Sequence, residues 1–127
     1  MRSGLAISLV LLAVVIVCGV MNIHLTKELS NRYISAAEEL REMVLAGEWR
    51  RAGETVEAYH DRWKDTLEWL QMLINHADGD EVSSALECIG AGVEAQDLVT
   101  CLQGCAQLRE AAEHLYHRDA FTLGNIL

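Results

Sequence analysis

The sequence predicts an all-α protein, in which an N-terminal transmembrane helix continues into an antiparallel bundle of about four helices. An uncharged, mostly apolar run begins at Leu5 and ends at Met21. Beyond it, apolar residues recur every three or four positions, which is the period of an amphipathic helix. The chain has no proline, and its 127 residues suffice for one domain. We therefore assign residues 1–23 to a membrane anchor and residues 24–127 to the bundle.

The anchor is at the short end of what a bilayer requires. Residues 5–21 span about 26 Å as a helix, against a hydrocarbon core of about 30 Å. Ile23 and Leu25 can extend the span. Two alternatives are a signal peptide cleaved before Val20 and a lipoprotein lipidated at Cys18. No helix breaker separates the run from the helical pattern that follows, which favours a retained anchor.

Charge gives the expected location. Arg2 precedes the span, whereas Lys27 and Arg32 follow it, so basic residues alone do not decide the orientation. The formal net charge of −9 argues against nucleic acid as a partner and against adhesion to anionic lipid head groups. We expect a single-pass protein of the cell membrane with a cytoplasmic N-terminus and an extracytoplasmic bundle.

Four apolar faces define the bundle helices. The first continues from the anchor through Leu25, Leu29, Tyr33, Ala36, Leu40 and Val44. The second is the longest face and comprises Trp49, Ala52, Val56, Tyr59, Trp63, Leu67, Leu70 and Ile74. The third begins after Asp80, taken as its N-cap, and buries Val82, Leu86, Ile89 and Val93. The fourth follows "EAQD" with Leu98, Leu102, Cys105, Leu108, Ala112 and Leu115, and the apolar tail "FTLGNIL" is expected to dock.

Short connections predict antiparallel neighbours, which brings distant polar residues to one end. That end lies beside the membrane and collects His24, His76, Asp78, Asp80, Glu113, His114 and His117. Imidazole and carboxylate groups suit a divalent metal, and we name His76, Asp78, Asp80 and His114 as candidate ligands. The alternative is that these residues cap helix ends or face solvent, since the chain has no metal-binding motif such as HExxH.

The cysteines and tryptophans have structural interpretations as well. Cys88 and Cys101 are expected at the same level of the third and fourth helices, so a disulfide between them is geometrically open in an exported domain. Cys105 falls on an apolar face and is expected to be a core residue. Trp49 and Trp63 lie on the second face. Trp69 lies off it and could meet the first helix, a partner or the membrane interface, so its role stays open.

Short motifs in a fixed order resemble a known family. They are the anchor, "GEW", a mid-helix Trp63, "INHADGD", His114 and the "NIL" that contains Asn125. Together they resemble domain-of-unknown-function family 4363, small membrane-anchored proteins of Gram-positive bacteria. In that family the turn reads roughly His-x-Glu-x-Asp. Here Asp78 replaces the glutamate and Gly79 replaces an apolar residue, which loosens the corner. The resemblance implies no activity and points to an accessory role beside membrane proteins.

Three classes of function remain. The first is a non-enzymatic accessory or interaction subunit for an integral membrane partner. The second is an extracytoplasmic sensor or divalent-metal-binding module that uses the histidine and aspartate cluster, and a divalent metal is the only cofactor considered. An enzyme ranks last, because no phosphate loop, nucleophile elbow or paired-carboxylate pattern is present. The long face of the first two helices could also pair with a second copy of the chain.

Overall fold

A computed structural model describes residues 1–70 and 76–126, with side chains described for residues 1–70 and 76–117. The described backbone forms four helices and no strand: α1 (Arg2–Leu45), α2 (Trp49–Leu70), α3 (His76–Glu94) and α4 (Leu98–Ile126). Neighbouring helices along the chain are antiparallel, and α4 packs against both α1 and α3. The all-α bundle predicted from the sequence is confirmed.

Helix α1 has two halves of different character. Its apolar first half, which includes residues 5–18, is fully exposed, whereas its second half buries residues from Thr26 to Val44 against the bundle. The helix runs through both halves without a break. In the described part of the chain, α1 alone is long and apolar enough to cross a membrane. A signal sequence has the same length and composition, so the retained anchor stays a prediction.

Two turns of the same geometry close the end of the bundle that we call the tip; the opposite end, where α2 ends and α3 begins, is the base. Gly47 and Gln96 each adopt a left-handed backbone, with φ of 73° and 51°. Each turn closes with two backbone hydrogen bonds: Gly47 to Val44 (3.1 Å) and Glu48 to Met43 (3.0 Å), then Gln96 to Val93 (3.1 Å) and Asp97 to Gly92 (2.8 Å). This is the Schellman pattern, which ends a helix by satisfying its last carbonyls.

The turn that precedes α4 is fixed further by Asp97. Its carboxylate accepts hydrogen bonds from the Thr100 hydroxyl at 2.7 Å and from the Val99 amide at 3.1 Å. These bonds, led by that of the Thr100 hydroxyl, lower the pKa of the Asp97 carboxyl below its usual value. Asp97 therefore acts as the N-cap of α4.

Helix α3 begins earlier than predicted. It starts at His76, so Asp80 lies inside the helix and the assignment of Asp80 as its N-cap is wrong. Asp78 occupies the first turn instead, where the positive end of the helix dipole favours a carboxylate. Residues 71–75 lie outside the described residues, and the predicted continuation of the second apolar face to Ile74 lies there too.

The core is organised around two aromatic residues. Tyr33 and Trp63 are 1% and 0% exposed, and their rings meet edge-on with centroids 5.0 Å apart. The Trp63 indole N–H donates to the Ser83 hydroxyl at 3.0 Å and to the Gly79 carbonyl at 3.2 Å. One indole thereby ties α1, α2 and α3 together, and its polar atom is satisfied inside the core.

Helices α3 and α4 cross closely at two glycines. A Cβ on Gly104 would lie 2.7 Å from Ile89 Cγ1, and a Cβ on Gly92 would lie 2.8 Å from Cys101 Sγ. Hydrogen atoms at these positions let the two backbones approach.

The predicted apolar faces match the buried core with one exception. Most of their members are buried: Leu29, Tyr33, Ala36, Leu40, Val44, Ala52, Val56, Trp63, Leu70, Val82, Leu86, Ile89, Val93, Cys105, Leu108, Ala112 and Leu115. Leu25, Trp49, Tyr59, Leu67 and Leu102 are half-buried. Leu98 is 39% exposed, so its assignment to the core is wrong. It is the first residue of α4, next to the turn at Gln96 that closes the tip. The side chains of the tail lie outside the described residues.

Candidate functional site at the base

Four of the five histidines lie at the base. His76 is the first residue of α3. Glu81 lies in the second turn of α3, and its Oε2 atom is 3.4 Å from the Nδ1 atom of His114 on α4. On α1, the Nζ atom of Lys27 lies 5.9 Å from the ring centroid of Tyr116 on α4. His117 follows Tyr116 in the sequence, and His24 lies one helical turn before Lys27. The antiparallel order thus brings together residues that are far apart in sequence.

The four candidate metal ligands do not converge in the described structure. Asp80 and His114 line the same groove between α3 and α4. His76 is exposed, and Asp78 is buried at 5% exposure; neither lines that groove. Within the described residues, no group of three or more His, Cys, Asp or Glu side chains could hold a metal ion. The metal site remains a prediction from the sequence.

Glu81 is a member of this cluster that the sequence prediction did not include among the ligands. It pairs with His114, and both side chains are about half exposed (49% and 48%). The α3–α4 turn at Gln96 supplies the signal that could have found it, because in an antiparallel pair residues at similar distances from the turn stand level. Glu81 lies 15 residues before Gln96 and His114 lies 18 after it. Because both side chains are so exposed, the contact has only the limited effect of a surface pair on stability.

The groove that contains this pair is acidic. It has a volume of about 660 Å³, and its lining residues are Ala77, Asp80, Glu81, Ser84, Ala85, Gln107, Glu110, Ala111 and His114. Three of these carry carboxylates, and none is Lys or Arg. Such a surface can accept hydrogen bonds from cationic or amide groups of a partner and repels anionic ones.

The predicted disulfide partners face each other across α3 and α4 as free thiols. The Cys88 thiol lies 3.8 Å from the Thr100 carbonyl oxygen, next to Cys101, and the Cys101 thiol lies 3.9 Å from the Ile89 carbonyl oxygen, next to Cys88. Burial raises the pKa of the Cys101 thiol, and it raises that of Cys105 to about 11. Both buried thiols are therefore neutral and weakly nucleophilic at ordinary pH. The disulfide stays a prediction.

Several hydroxyl groups bond to the backbone within their own helix. Ser8 donates to the Gly4 carbonyl at 3.0 Å, Thr66 donates to the Arg62 carbonyl at 2.8 Å, and the Thr26 hydroxyl donates to the Asn22 carbonyl. This pattern is typical of Ser and Thr on helices. These hydroxyls serve local structure.

Comparison with known proteins yields a family without an assigned activity. The family model described as "Domain of unknown function (DUF4363)" matches residues 20–126, most of the chain. No curated protein and no solved structure matches the chain.

Proposed function

The chain belongs to the DUF4363 family, and we propose that it is a non-enzymatic, single-span membrane protein that serves as an accessory subunit for an integral membrane partner. The observation that carries the proposal is the exposed first half of α1. An 18-residue window of this helix is strongly apolar, and none of it is buried. Exposed apolar surface of this extent requires lipid or another apolar surface to cover it.

The acidic bundle supports the proposed orientation. Removal of Arg2 with the anchor leaves a formal charge of −10 on the remainder, from −9 for the whole chain. Arg2 lies just before the span, which fits a span that starts on the cytoplasmic side and an exported bundle.

The base provides the second half of the proposed partner surface. It joins the anchor directly through an unbroken helix, so a partner that contacts the span also meets the base. His76, Asp80 and His114 are exposed there, beside the acidic groove. Hydrogen bonds from a membrane protein's extracellular loops suit this surface, because it offers carboxylate acceptors and imidazole groups.

Crosslinking of native membranes, followed by pull-down of this chain, tests the proposal. Wild type is compared with a His76→Ala/His114→Ala double variant and with a matched control, His60→Ala. His60 lies away from the base, and its Nε2 atom is 4.0 Å from Oε1 of Glu87. We expect a multispan membrane protein with wild type and His60→Ala, and its loss with the double variant. A well-folded chain that captures no multispan protein from any sample contradicts the proposal. If all three forms of the chain capture the same multispan protein, the histidines of the base are not needed and the partner surface is the span.

A second candidate is a divalent-cation sensor at the same end. The observation in its favour is the shared groove of Asp80 and His114, two of the four ligands predicted from sequence. Zinc titration of the full chain in detergent, followed by calorimetry, is expected to release heat at micromolar metal in wild type and not in His114→Ala. The absence of binding heat in wild type rules this candidate out.

A further inference from the structure

The base of the bundle lies close to the end of the apolar run, and two contacts fix the relative heights of its parts. The Tyr33 ring of α1 meets Trp63 of α2, and Trp69 lies six residues nearer the base than Trp63. Six residues below Tyr33 on α1 is Lys27, whose ammonium group lies beside the Tyr116 ring of α4. Trp69, Lys27 and Tyr116 therefore stand at about the same level.

Helices α1 and α4 both change from polar to uncharged at one level. Lys27 and Tyr116 stand level, and α1 and α4 are antiparallel. Ile23, four residues before Lys27, therefore stands level with Ala120, four residues after Tyr116. On α1, residues 5–23 carry no charge. On α4, the last charged side chain is that of Asp119, and residues 120–127 ("AFTLGNIL") have no charged side chain. Nothing in the bundle itself requires the two boundaries to coincide.

Burial on α1 continues below that level. Gly19, Asn22 and Ile23 are half-buried, whereas residues 5–18 are exposed. Their spacing of three or four residues extends the bundle-facing stripe of α1 downward from Thr26. The backbone of α4 continues as a helix to Ile126, about 10 Å beyond Asp119 at 1.5 Å per residue. The last turns of α4 therefore accompany α1 past the boundary.

The length of the span places the lipid boundary at the same height. A hydrocarbon core of about 30 Å needs about 20 helical residues, and 20 residues counted from Leu5 end at His24. The head-group layer adds about 5–7 Å on each side. Lys27 is three residues above His24, or about 4.5 Å, so the level of Trp69 and Tyr116 falls inside the head-group layer.

The side chains found at this level suit a lipid interface. Trp69 is 50% exposed although it is a large aromatic residue, and Tyr116 is half-buried. Tryptophan and tyrosine concentrate at the head groups, where the ring meets apolar surface and the N–H or O–H meets water. With a net charge of −9, the chain favours zwitterionic over anionic lipid.

We infer that the edge of the hydrocarbon core crosses both α1 and α4 at the level of His24. Lipid head groups surround Trp69 and Tyr116, and the uncharged segment 120–126 of α4 lies among the lipid chains beside α1. The base of the bundle is thus partly embedded in the membrane, and α1 is not the only helix that enters it. This inference rests on the proposed membrane anchorage.

Tryptophan quenching tests the inference with the full chain in phosphatidylcholine vesicles. The wild-type chain has three tryptophans. A nitroxide on the lipid head group is expected to quench a part of the total fluorescence that corresponds to roughly one of them. That quenching disappears in Trp69→Phe and persists in Trp49→Phe, the matched control at the tip. Equal quenching in wild type and Trp69→Phe, or none in either, overturns the placement of Trp69.

A second variant tests the position of α4. Phe121→Trp, made in the Trp69→Phe background, is expected to be quenched more strongly by a nitroxide on the lipid acyl chain than by one on the head group. The reverse order overturns the placement of residues 120–126. Flotation of the same vesicles separates the two proposals. Protein that floats without the expected quenching refutes this inference and leaves the anchor standing, whereas protein that does not float refutes the anchor and the inference together.

Discussion

Replacement of Gly104 by alanine is expected to destabilise the contact between α3 and α4. The added Cβ would lie 2.7 Å from Ile89 Cγ1, 3.0 Å from the Ile89 backbone nitrogen and 3.3 Å from its Cα. Rotation of the Ile89 side chain relieves the first contact but not the two with backbone atoms. The helices must therefore separate by about half an ångström, which weakens dispersion contacts along their interface.

The magnitude follows from two opposed effects. Alanine gains about 1 kcal/mol over glycine in a helix interior. Overpacking of a close contact typically costs about 1–3 kcal/mol. Because two of the three close contacts involve backbone, we place the cost in the upper half of that range, and Gly104→Ala should lower the free energy of unfolding by about 1–2 kcal/mol.

Gly90→Ala is the matched control on α3, since an added Cβ there meets nothing within 4 Å. It should gain only the helix propensity and stabilise the protein by up to about 1 kcal/mol. Urea unfolding of the full chain in mild detergent, followed by far-UV circular dichroism, measures both variants against wild type. If Gly104→Ala is as stable as Gly90→Ala, the close crossing at Gly104 is refuted.

Three further predictions concern the tip and the buried titratable groups. Gln96→Gly should raise the free energy of unfolding by about 1 kcal/mol, because glycine adopts the left-handed backbone at φ 51° without strain; no gain in urea unfolding contradicts this. Burial raises the pKa of Tyr33 to about 12, against 10 in the unfolded chain. The free energy of unfolding should therefore be unaffected by Tyr33 below pH 10 and fall by up to about 3 kcal/mol towards pH 12, because only the unfolded state loses the proton in that range. The corresponding slope should be absent from Tyr33→Phe. In alkylation at pH 8, read by mass spectrometry, Cys88 should react before Cys101 and Cys105, and equal rates would show that the last two are not buried.

Periodicity in the sequence predicts which side of each helix is buried, because one face of a helix recurs every 3.6 residues. Spacing alone predicts that Val82, Leu86 and Ile89 lie in the core of α3, and all three are at most 1% exposed. The same reasoning fails at helix ends. Leu98 continues the pattern of α4, yet it is the first residue of that helix, at the tip, and is 39% exposed.

Spacing carries less information about where two helices approach each other. Gly92 and Gly104 both contribute to the α3–α4 crossing, yet glycines elsewhere in the chain, such as Gly90, meet no neighbour. Only the axial register of the pair distinguishes them, and the register depends on the geometry of the turn at Gln96. The same register pairs Glu81 with His114. The sequence therefore indicates which end the histidines occupy but not which carboxylate each one meets.

The unbroken α1 limits how a partner can engage the chain. A flexible linker between span and bundle would let the bundle search a wide volume around its anchor. Instead, α1 is helical from Arg2 to Leu45, and its bundle-facing stripe is covered from Gly19 upward. Under the proposed function, rotation or tilt of the span therefore moves the base with it. A partner in the membrane meets the acidic groove at a fixed height, so span and base act as one continuous surface. This geometry favours a stable subunit contact over capture by a tethered domain, because ordering a linker would cost entropy that a rigid rod does not lose.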